Sequence, residues 1–527
     1  MATDNSLGEK MIAAVDLGSS KIALAVARVE GNNTQIIYYK AVPSSGIINS
    51  AVVNPRQAKK ILGDLIMSAE EELNLKITRA VVGLPRCDVH QVDATGTLKR
   101  EMPDDCITTE EVDAIKSMAQ SQISESVNPS KEKMYSVIAQ SFSTEDYIQL
   151  IENDIVGMTG EELSGHFKVF LGKKAPIVNL TKIFNDLGIA IARTYFSPLA
   201  TAKAVLTEEE TSNGVALIDL GAGATSISIF EKKVLVDYTA IPFGGNTITG
   251  DIRTECGISE SLADNIKKAF GGCMPDRLLT LGEKTIQIET NDMSAYKQIL
   301  VKYLSEIITT RMKEIIDAML YEIQTSGLSM DLRKGIVITG GGAEMLNISN
   351  YIKDLSGYNV RIGYPRHGFM ATGCEDILKT DAATIAGLLL LSRDENINCC
   401  LYDEDAEHPA GATAGIPEEV DPADVEEPVN DGVPGDNSGE ESGEVSGEDS
   451  GAVSGEDSGS VSGEDSGSVS GEVPGAVSDG QVRHTEKAED SGKKKEEKPE
   501  KPKKPSLWDR FKVVVKGINE EINNQEA

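Results

Sequence analysis

Apolar residues fall in short unbroken runs near the start of the chain. Met11–Val15 is almost entirely apolar, as in a strand covered on both faces, and Ile22–Val29 is a second such run after a tight turn. From Asn54 to Leu75 the period changes: Ala58, Ile61, Leu62, Leu65 and Ile66 recur at helical spacing and predict a helix, followed by a buried strand at Ala80–Leu84. Strands and helices alternate again from Asn179, with apolar strands at Val215–Leu220 and Gly335–Thr339. That alternation predicts an α/β architecture. Between Pro85 and about Phe170, polar alternating strands such as Asp88–Thr97 flank one helical stretch, Thr109–Ile123, which reads as a small α+β module inserted into the first lobe.

Periodicity stops after Leu391, and composition then divides the chain. From Asp403 to Gly492 there are about 26 acidic residues against two basic ones and no aromatics, so this stretch carries most of the net charge of −33. Too little apolar surface is present to offset the entropy of ordering it, and a disordered tether is expected. Its VSGEDSG units begin at Val445, Val453 and Val461, too short and polar to build a solenoid core. Lys493–Lys504 reverses the charge, and its prolines favour an extended spacer. The acidic balance argues against a nucleic-acid partner. MATDNSLGEK has neither a basic n-region nor an apolar h-region, so no signal peptide is expected, and no apolar run reaches spanning length. Seven cysteines without CxxC or His spacing suit reduced thiols in a cytosolic protein.

Three glycine-bearing turns hold the candidate chemistry. Asp16-Leu17-Gly18-Ser19-Ser20-Lys21 lies between two strands: Gly18 lets amides approach an anion, Ser19 and Ser20 offer hydroxyls, Lys21 offers charge, and Asp16 could hold Mg²⁺ through its water shell. A single turn of this kind is no more than a Gly-Ser hairpin. A second, Asp219-Leu220-Gly221-Ala222-Gly223-Ala224-Thr225, again sits between apolar strands. Two such hairpins suit two facing lobes that pinch one polyphosphate, and suggest a duplicated lobe. A third element, Gly340-Gly341-Gly342, ends a buried strand, where side-chain-free backbone can lie flat against a nucleotide.

In this order the three elements resemble the phosphate-1, phosphate-2 and adenosine loops of the actin, sugar-kinase and heat-shock chaperone superfamily. The resemblance extends to the FtsA family through Gly244-Gly245-Asn246-Thr247-Ile248-Thr249 with Asp251-Ile252, Ala263-Asp264-Asn265-Ile266-Lys267, Val156-Gly157-Met158-Thr159-Gly160 and Val360-Arg361-Ile362-Gly363-Tyr364-Pro365. It covers roughly residues 11–392 and recurs at the far C-terminus, but leaves out the acidic linker. The resemblance implies a two-lobed actin-like ATPase fold, with the first lobe at 10–84 and 171–211, an inserted 1C-type subdomain at 85–170, and the second lobe at 212–398. It also implies ATP and Mg²⁺ as cofactors, with Asp16 and Asp219 positioning the metal. Gly18, Ser19, Ser20, Lys21, Gly221, Gly223 and Thr225 would meet the phosphates, Asp264 and Lys267 the ribose or adenine, and Gly340, Gly341 and Gly342 the nucleoside. Where related proteins often carry Glu before Pro in an E-P-x-A-A stretch, this chain has Ser197-Pro198. A serine is no general base near neutral pH, so slow or absent hydrolysis is expected.

After the linker (399–505), Ser506 opens a capping-box pattern with Asp509, and Leu507, Trp508, Phe511, Val514, Val515 and Ile518 recur on one helical face within 506–523. Beside basic residues, that face has the composition of a helix lying in an anionic membrane surface, and the preceding lysines add attraction. The expectation is an FtsA-type division protein on the cytoplasmic face of the bacterial inner membrane, at the division site. As the resemblance implies, it would anchor FtsZ filaments, polymerise with itself like actin and recruit later division proteins. The rivals are a pilus-assembly actin homologue, a small-molecule kinase and a chaperone ATPase on the same fold.

Overall fold

A computed structural model describes residues 10–31, 33–289 and 296–402. The acidic linker, the Lys-Pro spacer and the amphipathic helix expected at 506–523 lie outside the described residues.

Two five-stranded sheets carry the fold. In the first, Lys10–Leu17 pairs antiparallel with Lys21–Glu30, which pairs in turn with Asn33–Pro43. On the other side Arg79–Leu84 runs parallel to Lys10–Leu17, and Ala190–Phe196 lies parallel beyond it. The second sheet repeats this plan with Val215–Leu220, Thr225–Glu231 and Val234–Ile241 antiparallel, and Ile336–Thr339 then Val360–Ile362 parallel. Both sheets therefore run third, second, first, fourth, fifth in space. Every residue of Val215–Leu220 and Ile336–Thr339 is buried, which explains their apolar runs Val215–Ile218 and Ile336–Ile338.

The helix expected from residue 54 spans Pro55–Leu73. The Asn54 side chain accepts from the Gln57 amide, Pro55 fits the first turn where no amide is needed, and Asn74 ends the helix in a left-handed conformation. Its Ala58, Leu62, Leu65, Ile66 and Ala69 are buried, each leucine or isoleucine contributing about 1.5–3 kcal/mol.

The inserted module has its own core. Glu162–Lys173 lies between Val89–Lys99 and Glu132–Ser143 in an antiparallel sheet, covered by the helix Thr109–Ser126. Phe142 and Phe167 meet edge to face at 5.7 Å among buried Ile107, Ile115 and Leu163. The Val156–Gly160 stretch closes it: Ile107 N donates to Met158 O at 2.6 Å, Gly157 N donates to Ile107 O at 2.9 Å, and Gly160 N donates to Pro103 O at 3.1 Å. Buried Arg100 ties the same corner through Glu111 at 2.7 Å and Gly160 O at 3.0 Å.

One assignment changes. Ala383–Asp394, which the sequence reading gives to the second lobe, packs on the first. Residues Ala383 to Leu390 are all buried and share a core with Val15, Leu24, Val82 and Ala200. At Gly387 a Cβ would stand 1.7 Å from the Ala200 carbonyl, so only glycine permits this approach to the helix Ser197–Val205. A helix apolar all round needs cover on every side, which a surface position cannot give. Beyond it, Cys400–Tyr402 pairs with Leu75–Ile77 of the first lobe. Among the described residues, no helix is long and apolar enough to cross a membrane.

Candidate functional site

The two Asp-x-Gly turns have the same backbone. Gly18 N donates to Lys21 O at 3.0 Å, and Gly221 N donates to Ala224 O at 3.0 Å. Leu17 pairs with Ile22 at the base of the first turn, and Leu220 pairs with Thr225 at the base of the second. Both turns face one cavity of about 390 Å³. Its lining includes Asp16, Gly18, Ser19, Ser20 and Lys21 from the first hairpin and Asp219, Gly221 and Gly223 from the second. Asp264, Lys267, Gly340, Gly341 and Gly342 complete the expected set on its wall.

Thr225 is the exception. It is wholly buried, its hydroxyl has no hydrogen-bond partner, and it is absent from the cavity wall. The register explains this: Thr225 corresponds to Ile22, the first residue after the turn, and the true counterpart of Lys21 is Ala224.

Charge is unevenly placed. Lys21 pairs with Asp381 at 2.6 Å and donates to the Tyr39 hydroxyl at 3.2 Å. Burial opposes the Lys21 charge, but Tyr39 and Asp381 together outweigh it and hold the ammonium above its ordinary value. Burial pushes the Asp16 carboxyl up, against the pull of Arg86 and Lys21. On the far wall Asp264 meets Lys267 at 2.8 Å and Lys268 at 2.6 Å. Burial raises its carboxyl, yet these two lysines prevail and keep it below the usual carboxylate value. Lys267 also donates to Gly245 O at 2.9 Å and Thr249 Oγ1 at 2.6 Å, while burial depresses its own pKa.

Glycines keep the walls bare. A Cβ at Gly340 would stand 2.4 Å from Asp219 Oδ1, and one at Gly342 would stand 2.8 Å from Leu220 Cβ. Gly340 also sits at φ 82°, a conformation that favours glycine. The Gly244-Gly245-Asn246 stretch serves the second turn: Gly245 N donates to Gly221 O at 2.9 Å and Asn246 N to Ala222 O at 2.8 Å. These two amides at the start of the helix Gly245–Cys256 are therefore engaged by protein carbonyls.

Ser197 lines the cavity, but its hydroxyl donates to Leu84 O at 2.6 Å. Other wall residues escaped the sequence reading, notably Arg86, Asp381 and Thr384. Arg86 forms an ion pair with Asp219 and donates to Thr384 Oγ1. One signal pointed to it: Arg86 follows the carboxyl end of a strand parallel to Lys10–Leu17, and such ends face ligands in open α/β sheets.

Two lobes of repeated topology around a shared cleft define an actin-like ATPase fold. Among solved structures, the PilM-PilN type IV pilus biogenesis complex matches 73% of this chain and 98% of its own, with a TM-score of 0.53 at 13% identity. The family model "Cell division protein FtsA" matches residues 216–387. The cell division protein FtsA of Borreliella burgdorferi is 30% identical over 360 residues, 68% of this chain and 86% of that protein. That of Neisseria meningitidis serogroup B is 28% identical over 385 residues, covering 72% and 90%. The chain belongs to the FtsA family of cell division proteins.

Proposed function

We propose that this division protein binds Mg-ATP between its lobes, uses it to set lobe closure, and anchors FtsZ filaments to the cytoplasmic membrane. The observation that carries the nucleotide reading is the pair of equivalent hairpin turns opening onto one cavity. The wall fits a polyphosphate: glycines exclude side chains at Gly340 and Gly342, hydroxyls stand at Ser19 and Ser20, and Lys21 brings charge. Asp16 and Asp219 would hold the metal, with the phosphates supplying further oxygens, as a small hard cation requires. When bound, Mg²⁺ would offset phosphate charge.

The chain's own residues then orient the ligand. Ser19 Oγ accepts from Ser50 N at 2.8 Å, which fixes the first turn. Lys267 and Asp264, already locked to each other, offer a preformed polar wall for a ribose or base. Ser197 is buried and committed to Leu84 O, and offers no base for an attacking water. Slow or absent turnover follows, so occupancy rather than hydrolysis would bias the lobes.

Family membership and the amphipathic face of Leu507, Trp508, Phe511, Val514, Val515 and Ile518 support the adaptor role, with self-assembly and recruitment of later division proteins as its companions. Liposome co-sedimentation of the full chain and of Trp508→Glu, with FtsZ and Mg-ATP, tests it. The wild type should pellet and carry FtsZ down, and the variant should do neither. Pelleting by neither protein would move the reading toward the pilus-type homologue.

A further inference from the structure

Arg86 places a cation where none of the three turn motifs provides one. Its side chain is only 13% exposed, and it reaches from the loop after Arg79–Leu84 to Asp219 of the second lobe and to Thr384 on the cavity wall. The Tyr238 hydroxyl donates to its carbonyl at 2.8 Å, so its backbone is held as well. Thr384 stands 2.9 Å from Thr201, whose hydroxyl donates to Ser197 O at 3.1 Å. A guanidinium supported at both ends in this way is positioned rather than free to drift. Asp16 lines the same cavity as Arg86 and Asp219. The guanidinium thus occupies Asp219, one of the two carboxylates otherwise expected to take a metal.

We propose that Arg86 is the resident counter-cation of the Asp16–Asp219 pair, closing it to a free divalent ion so that metal enters only together with phosphates. This rests on the nucleotide reading of the cleft. A lone ion must displace the guanidinium from Asp219 and then sit beside it, two cations on one carboxylate. Phosphates change the balance, because the planar fork of an arginine pairs with phosphate oxygens as readily as with a carboxylate. Arg86 can then exchange Asp219 for phosphate, leaving the carboxylate to the metal.

The test is Mn²⁺ binding to the full chain without nucleotide, followed by electron paramagnetic resonance. Arg86→Gln should bind Mn²⁺ at least about ten-fold tighter than the wild type, and Arg86→Lys, which keeps the charge, should stay within about three-fold of it. Equal Mn²⁺ affinity in the wild type and Arg86→Gln overturns the proposal. Should Arg86→Gln fail to melt cooperatively, Thr384→Val, which loosens the guanidinium without removing it, should raise Mn²⁺ affinity by about two- to five-fold. No rise overturns the proposal equally. Fluorescent-ATP binding by the wild type with Mg²⁺ separates the two levels. Its absence defeats the nucleotide reading, while the Mn²⁺ comparison still decides what Arg86 does.

Discussion

The two hairpin turns share a backbone and divide the chemistry. Residues 18–21 read Gly-Ser-Ser-Lys and residues 221–224 read Gly-Ala-Gly-Ala, each closed by the same 3.0 Å bond from the first amide to the fourth carbonyl. The first turn brings hydroxyls and a charge. The second brings neither, and other elements bring cations to the same cavity: Arg86 from the loop after Arg79–Leu84 and Lys267 from the helix Glu260–Phe270. The second turn's contribution is clearance. A Cβ at Gly223 would stand 2.6 Å from Ser19 Oγ and 3.0 Å from Asn49 N, so the turns can approach only if Gly223 stays bare. The two turns keep one geometry and differ in their side chains.

Substitutions at matched positions can break that comparison. Lys21→Met should cost about 1.5–3 kcal/mol of nucleotide binding, roughly ten- to hundred-fold, measured by calorimetric titration with Mg-ATP. Its counterpart Ala224 carries no charge, so Ala224→Gly should leave affinity nearly unchanged. Equal losses at both would mean that the first turn holds no special share of the phosphate charge. Gly223→Val should force the turns apart and cost about 1–3 kcal/mol of stability, seen as a lower melting temperature, whereas Ser20→Ala at the matching exposed position should stay within about 0.5 kcal/mol. Thr225→Val should raise stability by about 1 kcal/mol, because it removes a buried hydroxyl without a partner, and should leave nucleotide affinity alone. A loss of affinity there would return Thr225 to the binding site.

The smallest effect concerns the seam between the sheets. Arg361 pairs with Glu210 through two contacts of 2.6 Å and donates to Val205 O at 2.8 Å. Burial raises the Glu210 carboxyl, but Arg361 and Thr207 outweigh it and hold its pKa below the ordinary 4.5. A depressed carboxylate stabilises the fold above its unfolded value, and that contribution fades as pH falls below about 4.5 through the folded value. Urea melts between pH 6 and 3 should therefore show a shallower acid loss for Glu210→Gln than for the wild type. Parallel curves would assign the acid sensitivity to other groups.

The sequence made the sheets legible because buried strands betray themselves as apolar runs, as at Val215–Ile218. It also made both turns legible, because the Asp-x-Gly turn recurs between two pairs of apolar runs. Thr225 pairs with Leu220 as Ile22 pairs with Leu17, so its burial is legible only by counting residues through the turn. Ala383–Asp394 announced its burial by composition, but nothing local tells a helix apolar all round which sheet will cover it. Arg86 and Asp381 were hidden because their partners, Asp219 and Lys21, lie 133 and 360 residues away in sequence. Such pairs exist only once the chain has folded.

The most direct test of the central claim is equilibrium titration of the full chain with ATP in Mg²⁺, comparing the wild type with Lys21→Met and Gly340→Val. One lies on the first lobe's turn and the other beside Asp219 on the second lobe's sheet. The account predicts saturable binding of one nucleotide per chain, weakened by both variants while they still melt cooperatively. Binding that survives both changes intact, or no binding by the wild type, would contradict a nucleotide held between the two lobes.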